Sequence, residues 1–282
     1  IFVLAGNQSH LFAGNGRAVF GINLNNPAEQ WVYKSAGIFA KQMPFIIRKS
    51  KLIVASTKQI AAVDIKNGNA VWTVKGMFGT SPLAFGDNIL AADVGEEKLL
   101  VIDSNNGFVV KRIALHDGPT SNSGIYQNNF IYENFYWPDD VNCPQKINEA
   151  FESLNLDTGK HNWRTVLGES SIQTQTYFAG DHLFYASQYD ANSVVYLSSI
   201  DLSSGKLNWK TKLENCNKSL SNMIVDEHSI IIVVDERMYK IDRNVGNIIK
   251  TLQLNFTAEH LLRIKNSIIC VGYNKINSVN LP

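Results

Sequence analysis

The chain has 282 residues, with 26 Lys and Arg against 25 Asp and Glu and a formal net charge of +1. Such balance provides no field to hold nucleic acid or an anionic membrane surface. No apolar run reaches the roughly eighteen residues that a membrane-spanning helix needs. The sequence opens on Ile1 rather than Met and shows no basic segment followed by an apolar run. We therefore expect any signal peptide or upstream domain to lie outside it.

In chain order, short apolar runs rich in β-branched and aromatic residues alternate with polar turns, a pattern of strands rather than helices. The first four runs fall near residues 1–6, 10–14, 17–23 and 29–34. Residues 43–76 repeat the pattern most legibly. Pro44 to Ile47, Leu52 to Ala55, Ile60 to Ile65 and Ala70 to Val74 are four strands, A to D, of an antiparallel meander. The turn Lys66-Asn67-Gly68-Asn69 is its strongest hairpin signal, because Asn and Gly tolerate positive φ. Leu83 to Phe85, Asn88 to Ala92, Lys98 to Asp103 and Phe108 to Ile113 make a third unit. Thr174 to Phe178, His182 to Ala186, Val194 to Asp201 and Lys206 to Leu213 make a fifth. Ser221 to Val225, Ser229 to Val234, Met238 to Asp242 and Asn247 to Leu252 make a sixth. Residues 259–281 supply strands A, B and C of a seventh, which the sequence leaves without its strand D.

Across the C–D turns runs one motif, a polar residue, then Gly or Pro four positions on, then Trp after four more. Its full copies are Asn23-Pro27-Trp31, Asp64-Gly68-Trp72, Asn155-Gly159-Trp163 and Asp201-Gly205-Trp209. Asp103-Gly107 and Asp242-Gly246 carry Lys111 and Lys250 in the Trp position. The small residues at 27, 68, 107, 159, 205 and 246 recur at a period of about forty, stretched most between 107 and 159. Units of that size cannot bury a core alone and must stack. Seven such units without helices predict an all-β, seven-bladed β-propeller of four-stranded antiparallel blades, the last lacking its outer strand. We read it as a single domain over 1–282, with blades near 1–36, 37–77, 78–116, 117–168, 169–214, 215–255 and 256–282.

The runs VDIKNGNAVW, LNLDTGKHNW and IDLSSGKLNW resemble the PQQ-like repeat, the repeat of quinoprotein dehydrogenases and of BamB-type outer-membrane assembly lipoproteins. The resemblance implies that the motif sits on strands C and D and that Trp31, Trp72, Trp163 and Trp209 dock each blade to its neighbour. It also favours a periplasmic or cell-envelope setting. The dehydrogenases of the family have eight blades, about twice this length, a vicinal Cys pair and a Ca²⁺ site. Here Cys143, Cys216 and Cys270 are widely separated, and Asp64, Asp103, Asp201 and Asp242 fall in turns. No acidic cluster offers the six or more oxygens calcium takes, and no C-x-x-C pair or His cluster offers zinc spacing. We therefore expect no metal, no cofactor and no catalytic residues.

The A–B and C–D turns are short and uniform, which marks them as scaffold. Function is expected on the other end of the blades, where the D–A and B–C connections lie. The longest departure there is residues 134–148, containing Phe135, Tyr136, Trp137, Asp139 and Asp140. Long loops in compact domains are usually functional or disordered, and a row of aromatics serves either as partner anchors or as a cap over the fourth blade. Phe78, His116, Gln173 and Tyr189 join these as candidate binding residues. Cys143 and Cys216 project to the same end, so a disulfide between them is one option beside free thiols, whereas Cys270 reads as a small buried hydrophobe. Three functions fit this pattern. One is a non-enzymatic scaffold that binds a protein or peptide on its loop-rich face. Another is a small-ligand or quinone-binding propeller of the oxidoreductase type, and the third is a sensor or regulatory domain of a longer protein.

Overall fold

A computed structural model describes residues 3–38, 45–116, 119–136, 148–169, 171–189, 194–215, 219–265 and 267–280. It is an all-β molecule of six four-stranded antiparallel sheets and one three-stranded sheet, a seven-bladed propeller in which each blade is a simple meander. Blade one comprises β1 (Val3–Gly6), β2 (His10–Gly14), β3 (Ala18–Asn23) and β4 (Gln30–Lys34). Blade two is β5 (Ile46–Arg48), β6 (Lys51–Ser56), β7 (Gln59–Asp64) and β8 (Ala70–Lys75). Blade three is β9 (Leu83–Phe85), β10 (Asn88–Asp93), β11 (Lys98–Asp103) and β12 (Val109–Ala114). Blade four is β13 (Pro119–Tyr126), β14 (Asn129–Tyr136), β15 (Asn148–Asn155) and β16 (His161–Glu169). Blade five is β17 (Ser171–Ala179), β18 (His182–Tyr189), β19 (Val194–Asp201) and β20 (Leu207–Asn215). Blade six is β21 (Ile224–Val225), β22 (Ser229–Val234), β23 (Arg237–Asp242) and β24 (Ile248–Gln253). Blade seven holds β25 (His260–Ile264), β26 (Ser267–Val271) and β27 (Ile276–Asn280). Among the described residues no helix is long and apolar enough to cross a membrane.

Two compact units divide this chain within its fourth sheet: Ile1–Phe135 with Leu154–Lys160, and Tyr136–Ser153 with His161–Pro282. In blades two and six the B strands are buried on both faces, which is why Leu52-Ile53-Val54-Ala55 and Ile230-Ile231-Ile232-Val233 are unbroken apolar runs rather than alternating ones. The D strands lie half-exposed at the outer edge, and β4 alternates exposed and half-buried along its whole length. Cores form between successive blades. In the first unit Ile53, Ile60 and Trp72 of blade two pack with Phe78, Ile89 and Ile102 of blade three. In the second, Phe184, Val195 and Leu197 of blade five pack with Ile230, Ile232 and Tyr239 of blade six. Cys270 lies fully buried among Ile231, Met238 and Leu261, where burial pushes its thiol upward. Cys143 and Cys216 lie outside the described residues.

The recurring motif is a device for joining blades. In blade two the Asp64 carboxylate accepts the backbone N–H of Lys66 at 2.8 Å and of Asn67 at 3.2 Å, and the Gly68 N–H donates to the Asp64 carbonyl at 2.9 Å. Asp103, Asn155, Asp201 and Asp242 repeat this closure. Gly68, Gly107, Gly159, Gly205 and Gly246 all have φ between 70° and 78°, the left-handed region that a side chain resists. The glycine does a second job. A Cβ built on Gly68, Gly107, Gly205 or Gly246 would lie 2.5–2.8 Å from the indole of Trp31, Trp72, Trp163 or Trp209 of the preceding blade. The same four indole N–H groups donate to the carbonyls of Ile65, Ser104, Leu202 and Arg243 at 2.9–3.2 Å. Each Trp therefore stacks flat on the next blade's turn and is tied to it by one hydrogen bond.

Two departures are instructive. Lys111 stands where blade three should have Trp, and its ammonium donates to the carbonyls of Leu156 and Asp157 at 2.7 and 2.6 Å. The Leu156 carbonyl is the equivalent of those the indoles reach, so the lysine keeps the polar half of the joint and gives up the stacking half. At Gly159 only a methyl of Ile113 comes near, at 3.3 Å. Blade one also differs: Pro27 has no N–H to close the turn, and Glu29 N–H instead reaches the Asn26 carbonyl at 2.8 Å. Its C–D register is regular, with Gly21 opposite Trp31, whereas blades two, three, five and six carry a bulge just before the turn. The bulged residues Val71, Val110 and Ile249 account for three of the exposed aliphatics of the outer strands.

In the second unit, Asp226 at the blade-six A–B turn meets Arg263 of blade seven at 2.7 Å. Partial burial pushes this carboxyl upward. The Arg263 guanidinium, the N–H groups of His228 and Ser229 and the Ser229 hydroxyl outweigh it and hold the pKa at about 2. The unfolded carboxyl has a pKa near 3.9, so this group contributes stability above roughly pH 4 that is lost as pH falls toward about 2. Asp226→Asn is thus expected to melt at a lower temperature than the parent at pH 7. Thermal melts across the acid range should show that gap closing; a gap independent of pH would remove the ion pair as its cause.

Candidate functional site

The strand boundaries separate two kinds of connection. The A–B turns span only a few residues each, such as 49–50, 86–87 and 180–181, and the C–D turns of blades two to six share one build. At the opposite ends of the blades the connections vary widely, with 35–45 and 76–82 among the D–A segments and 137–147 among the B–C segments. Variation is concentrated where partner recognition was expected.

The predicted site residues fare differently there. The loop expected over 134–148 is shorter at both ends: β14 continues through Phe135 and Tyr136, and β15 starts at Asn148. Asn134 is fully buried, and its amide donates to the His116 carbonyl at 3.2 Å. A buried, bonded residue at this point carries the strand onward where composition indicates a loop. Trp137, Asp139 and Asp140 lie outside the described residues. Phe78 is a correction, being only 2 % exposed. Its ring belongs to the core between blades two and three, and its backbone bridges Asp93. An aromatic in a short connection after a D strand was legible; that its ring turns inward depends on the neighbouring blade. His116 is exposed, with its N–H donating to the Tyr132 hydroxyl at 3.2 Å. Gln173 and Tyr189 are on strands rather than loops, with Gln173 opposite Gln188 and Tyr189 opposite Ser171.

Within the second unit, β15 brings buried acids that no sequence motif announced. Glu149 accepts a hydrogen bond from the Tyr185 hydroxyl at 2.7 Å. Glu152 lies 2.8 Å from His161 Nδ1 and 3.2 Å from Arg164 Nε. Burying carboxylates costs several kcal/mol unless they are paired, and these are paired. Their spacing on β15 does not alternate with the apolar residues, so periodicity gave no signal.

The first unit contains a cleft that sequence reasoning missed. It encloses about 500 Å³ at the D–A and B–C ends of blades one and two, and Arg17, Lys34 and Lys58 border it. The segment Ser35 to Ile38, bent at Ala36 and Gly37, lines it and is held in place on several sides. The Thr57 N–H donates to the Ile38 carbonyl at 3.0 Å, and the Ile38 N–H donates to the Thr57 hydroxyl at 3.2 Å. The Ser35 hydroxyl donates to Ser56 at 2.7 Å. Gly37 comes so close that a Cβ there would lie 2.8 Å from the Lys58 backbone nitrogen. The Arg17 turn is fixed by the Asn15 side chain, which accepts the N–H groups of Arg17 and Ala18 at 2.9 and 2.8 Å. No carboxylate is among the described residues lining the cleft. Arg17, Lys34 and Lys58 are far apart in sequence, so only the stacking of two blades brings them together.

Comparison with known proteins agrees with this architecture. A family described as outer membrane protein assembly factor BamB matches residues 2–195 and 147–255. No curated protein sequence matches the chain. Among solved structures, BamB from Moraxella catarrhalis superposes with a TM-score of 0.70 at 16% identity, covering 98% of this chain and 80% of that one. The Pan2 WD40 domain of Neurospora crassa gives 0.61 at 12% identity, over 95% and 85% of the two chains. Kuenenia stuttgartiensis hydrazine synthase gives 0.60 at 15% identity, over 99% and 95%. At these identities the superpositions speak for the propeller fold. Together with the recurring Asp-Gly-Trp joints, the family match shows that this chain belongs to the outer membrane protein assembly factor BamB family of PQQ-like repeat β-propellers.

Proposed function

We propose that this chain is a non-enzymatic scaffold that binds a protein or peptide through the D–A and B–C ends of its blades, in the cell envelope. One observation supports the reading most directly. The C–D turns at the other end repeat one closure around Asp64, Asp103, Asn155, Asp201 and Asp242, with blade one the exception, while connection length diverges most at the proposed end. Surfaces that diverge on a uniform scaffold are where repeat proteins place their binding chemistry. The family match and the likeness to BamB point the same way.

Photo-crosslinking residues test it directly. Met77 and Tyr273, the latter 95 % exposed, lie at the proposed end, and Phe108 and Val245 are exposed in C–D turns. Crosslinkers at Met77 and Tyr273 in cells of the source organism should trap a discrete protein adduct, and those at Phe108 and Val245 should not. Adducts confined to Phe108 and Val245 would place recognition at the other end and overturn the proposal.

A further inference from the structure

We infer that the cleft bordered by Arg17, Lys34 and Lys58 receives an acidic, partly apolar peptide segment of the bound partner; this rests on the partner-binding reading above. The charge argument is local. The chain as a whole is almost neutral at +1, so three cations around one cavity with no lining carboxylate are a concentration, not a background. Their three side chains are exposed. Like charges brought together repel, and a complementary anion removes that repulsion on binding.

The walls supply the second argument. Peptide binding loses affinity to every segment that must be ordered, and here the Ser35 to Ile38 stretch is already tied to the Thr57-Lys58 turn by a reciprocal pair of bonds. That turn is itself anchored, because the Lys58 carbonyl accepts the Gly76 N–H at 3.2 Å and the Thr57 carbonyl accepts the Phe78 N–H at 3.3 Å. Through its backbone N–H, buried Phe78 thus helps to tether the turn instead of serving as a surface anchor. The third argument is the mixed lining. Ala18, Ala36 and the exposed side chain of Ile38 provide apolar contact beside the charges. A bare inorganic anion would leave those groups unused, whereas a segment alternating acidic and apolar residues would meet both. A cavity of about 500 Å³ accommodates a few such side chains.

The probe is a fluorescein-labelled, end-capped octapeptide of alternating glutamate and leucine, followed by anisotropy at low salt. Arg17→Glu/Lys34→Glu/Lys58→Glu should weaken its binding by about tenfold or more, as close charge pairs do at interfaces. The neutral Arg17→Gln/Lys34→Gln/Lys58→Gln variant should fall between. Lys66→Glu/Lys160→Glu/Lys206→Glu reverses three exposed C–D-turn charges at the opposite end of the blades and should change binding by less than about twofold. Equal losses in both reversed triples would mean a diffuse charge effect and overturn the inference. So would binding of a glutamine-for-glutamate peptide as tight as that of the acidic one, or displacement of the peptide by millimolar inorganic phosphate. Preferential binding to vesicles containing phosphatidylglycerol would assign the cleft to lipid instead. Circular dichroism melts establish that each triple is folded. If the cleft inference alone is wrong, the Met77 and Tyr273 crosslinks persist in the reversed triple; if the face reading is wrong, they are absent from the parent protein too.

Discussion

Trp72→Ala is expected to lower the stability of the first unit by about 3–5 kcal/mol, the range for removing a large buried aromatic. Three losses combine. The ring is only 8 % exposed and packs with Phe78, Ile89 and Ile102, so its removal leaves a cavity between two blades. The hydrogen bond to the Ser104 carbonyl disappears at 3.1 Å from its donor, orphaning an acceptor at a buried joint. Finally, the flat stacking on the Gly107 turn is lost. Stability in repeat architectures is a sum of unit terms and nearest-neighbour interfaces, so the damage should be greatest in blades two and three. Urea unfolding with hydrogen exchange read by segment measures both size and place. A cost below about half a kcal/mol would be that of a surface residue and would contradict the inter-blade position.

Gly107→Ala should be nearly as damaging, through two separable causes. At φ of 78° an alanine pays about 1–2 kcal/mol for the left-handed conformation. Its methyl would also sit 2.8 Å from the Trp72 ring, forcing either the indole or the turn to move. Overpacking of that kind costs about 1–3 kcal/mol more. Only the second cause depends on the tryptophan. In a Trp72→Gly background, which removes the ring and also the residue-72 Cβ that would lie 2.9 Å from the methyl, Gly107→Ala should then cost little beyond the conformational part. A double-mutant cycle should show a coupling of about 1–3 kcal/mol, with the double variant more stable than the sum of the singles implies. Strict additivity would mean that glycine is required for φ alone and that the indole plays no part in its selection. The same cycle at Gly205 and Trp163 should give the same sign, because the geometry is repeated there at 2.5 Å.

Much of this architecture is local in origin and was readable on that account. The four-run pattern of Pro44 to Val74 specifies strands because period, β-branching and turn residues all point one way, and the observed strands follow it closely. The resemblance of the Asp-Gly-Trp runs to the PQQ-like repeat implied that tryptophan docks blades, and four indoles do so at equivalent carbonyls. Pro27 shows where spacing misleads. It holds the position of a glycine in the count, yet it cannot make the turn, and blade one reaches the same Trp position through a longer connection without a bulge. The extension of β14 through Tyr136 was also hidden, because Asn134, Phe135 and Tyr136 resemble the start of a loop in composition. Nothing local indicates that Asn134 will be bonded across to His116.

Side-chain fate is where the two levels part. The sequence by itself determined the repeat, the strand order within each blade and the turn that each glycine closes. These follow from periodicity and backbone sterics, which act over a few residues. Tertiary structure alone decided that Phe78 faces inward, that Lys111 substitutes for an indole at the Leu156 carbonyl, and that Arg17, Lys34 and Lys58 surround one cleft. Each of these depends on what a neighbouring blade presents across the interface. The Asp-Gly-Trp signature determines only that a blade will be there. What its loops bring together is settled by packing between residues distant in the chain, and that is where the candidate binding chemistry of this propeller resides.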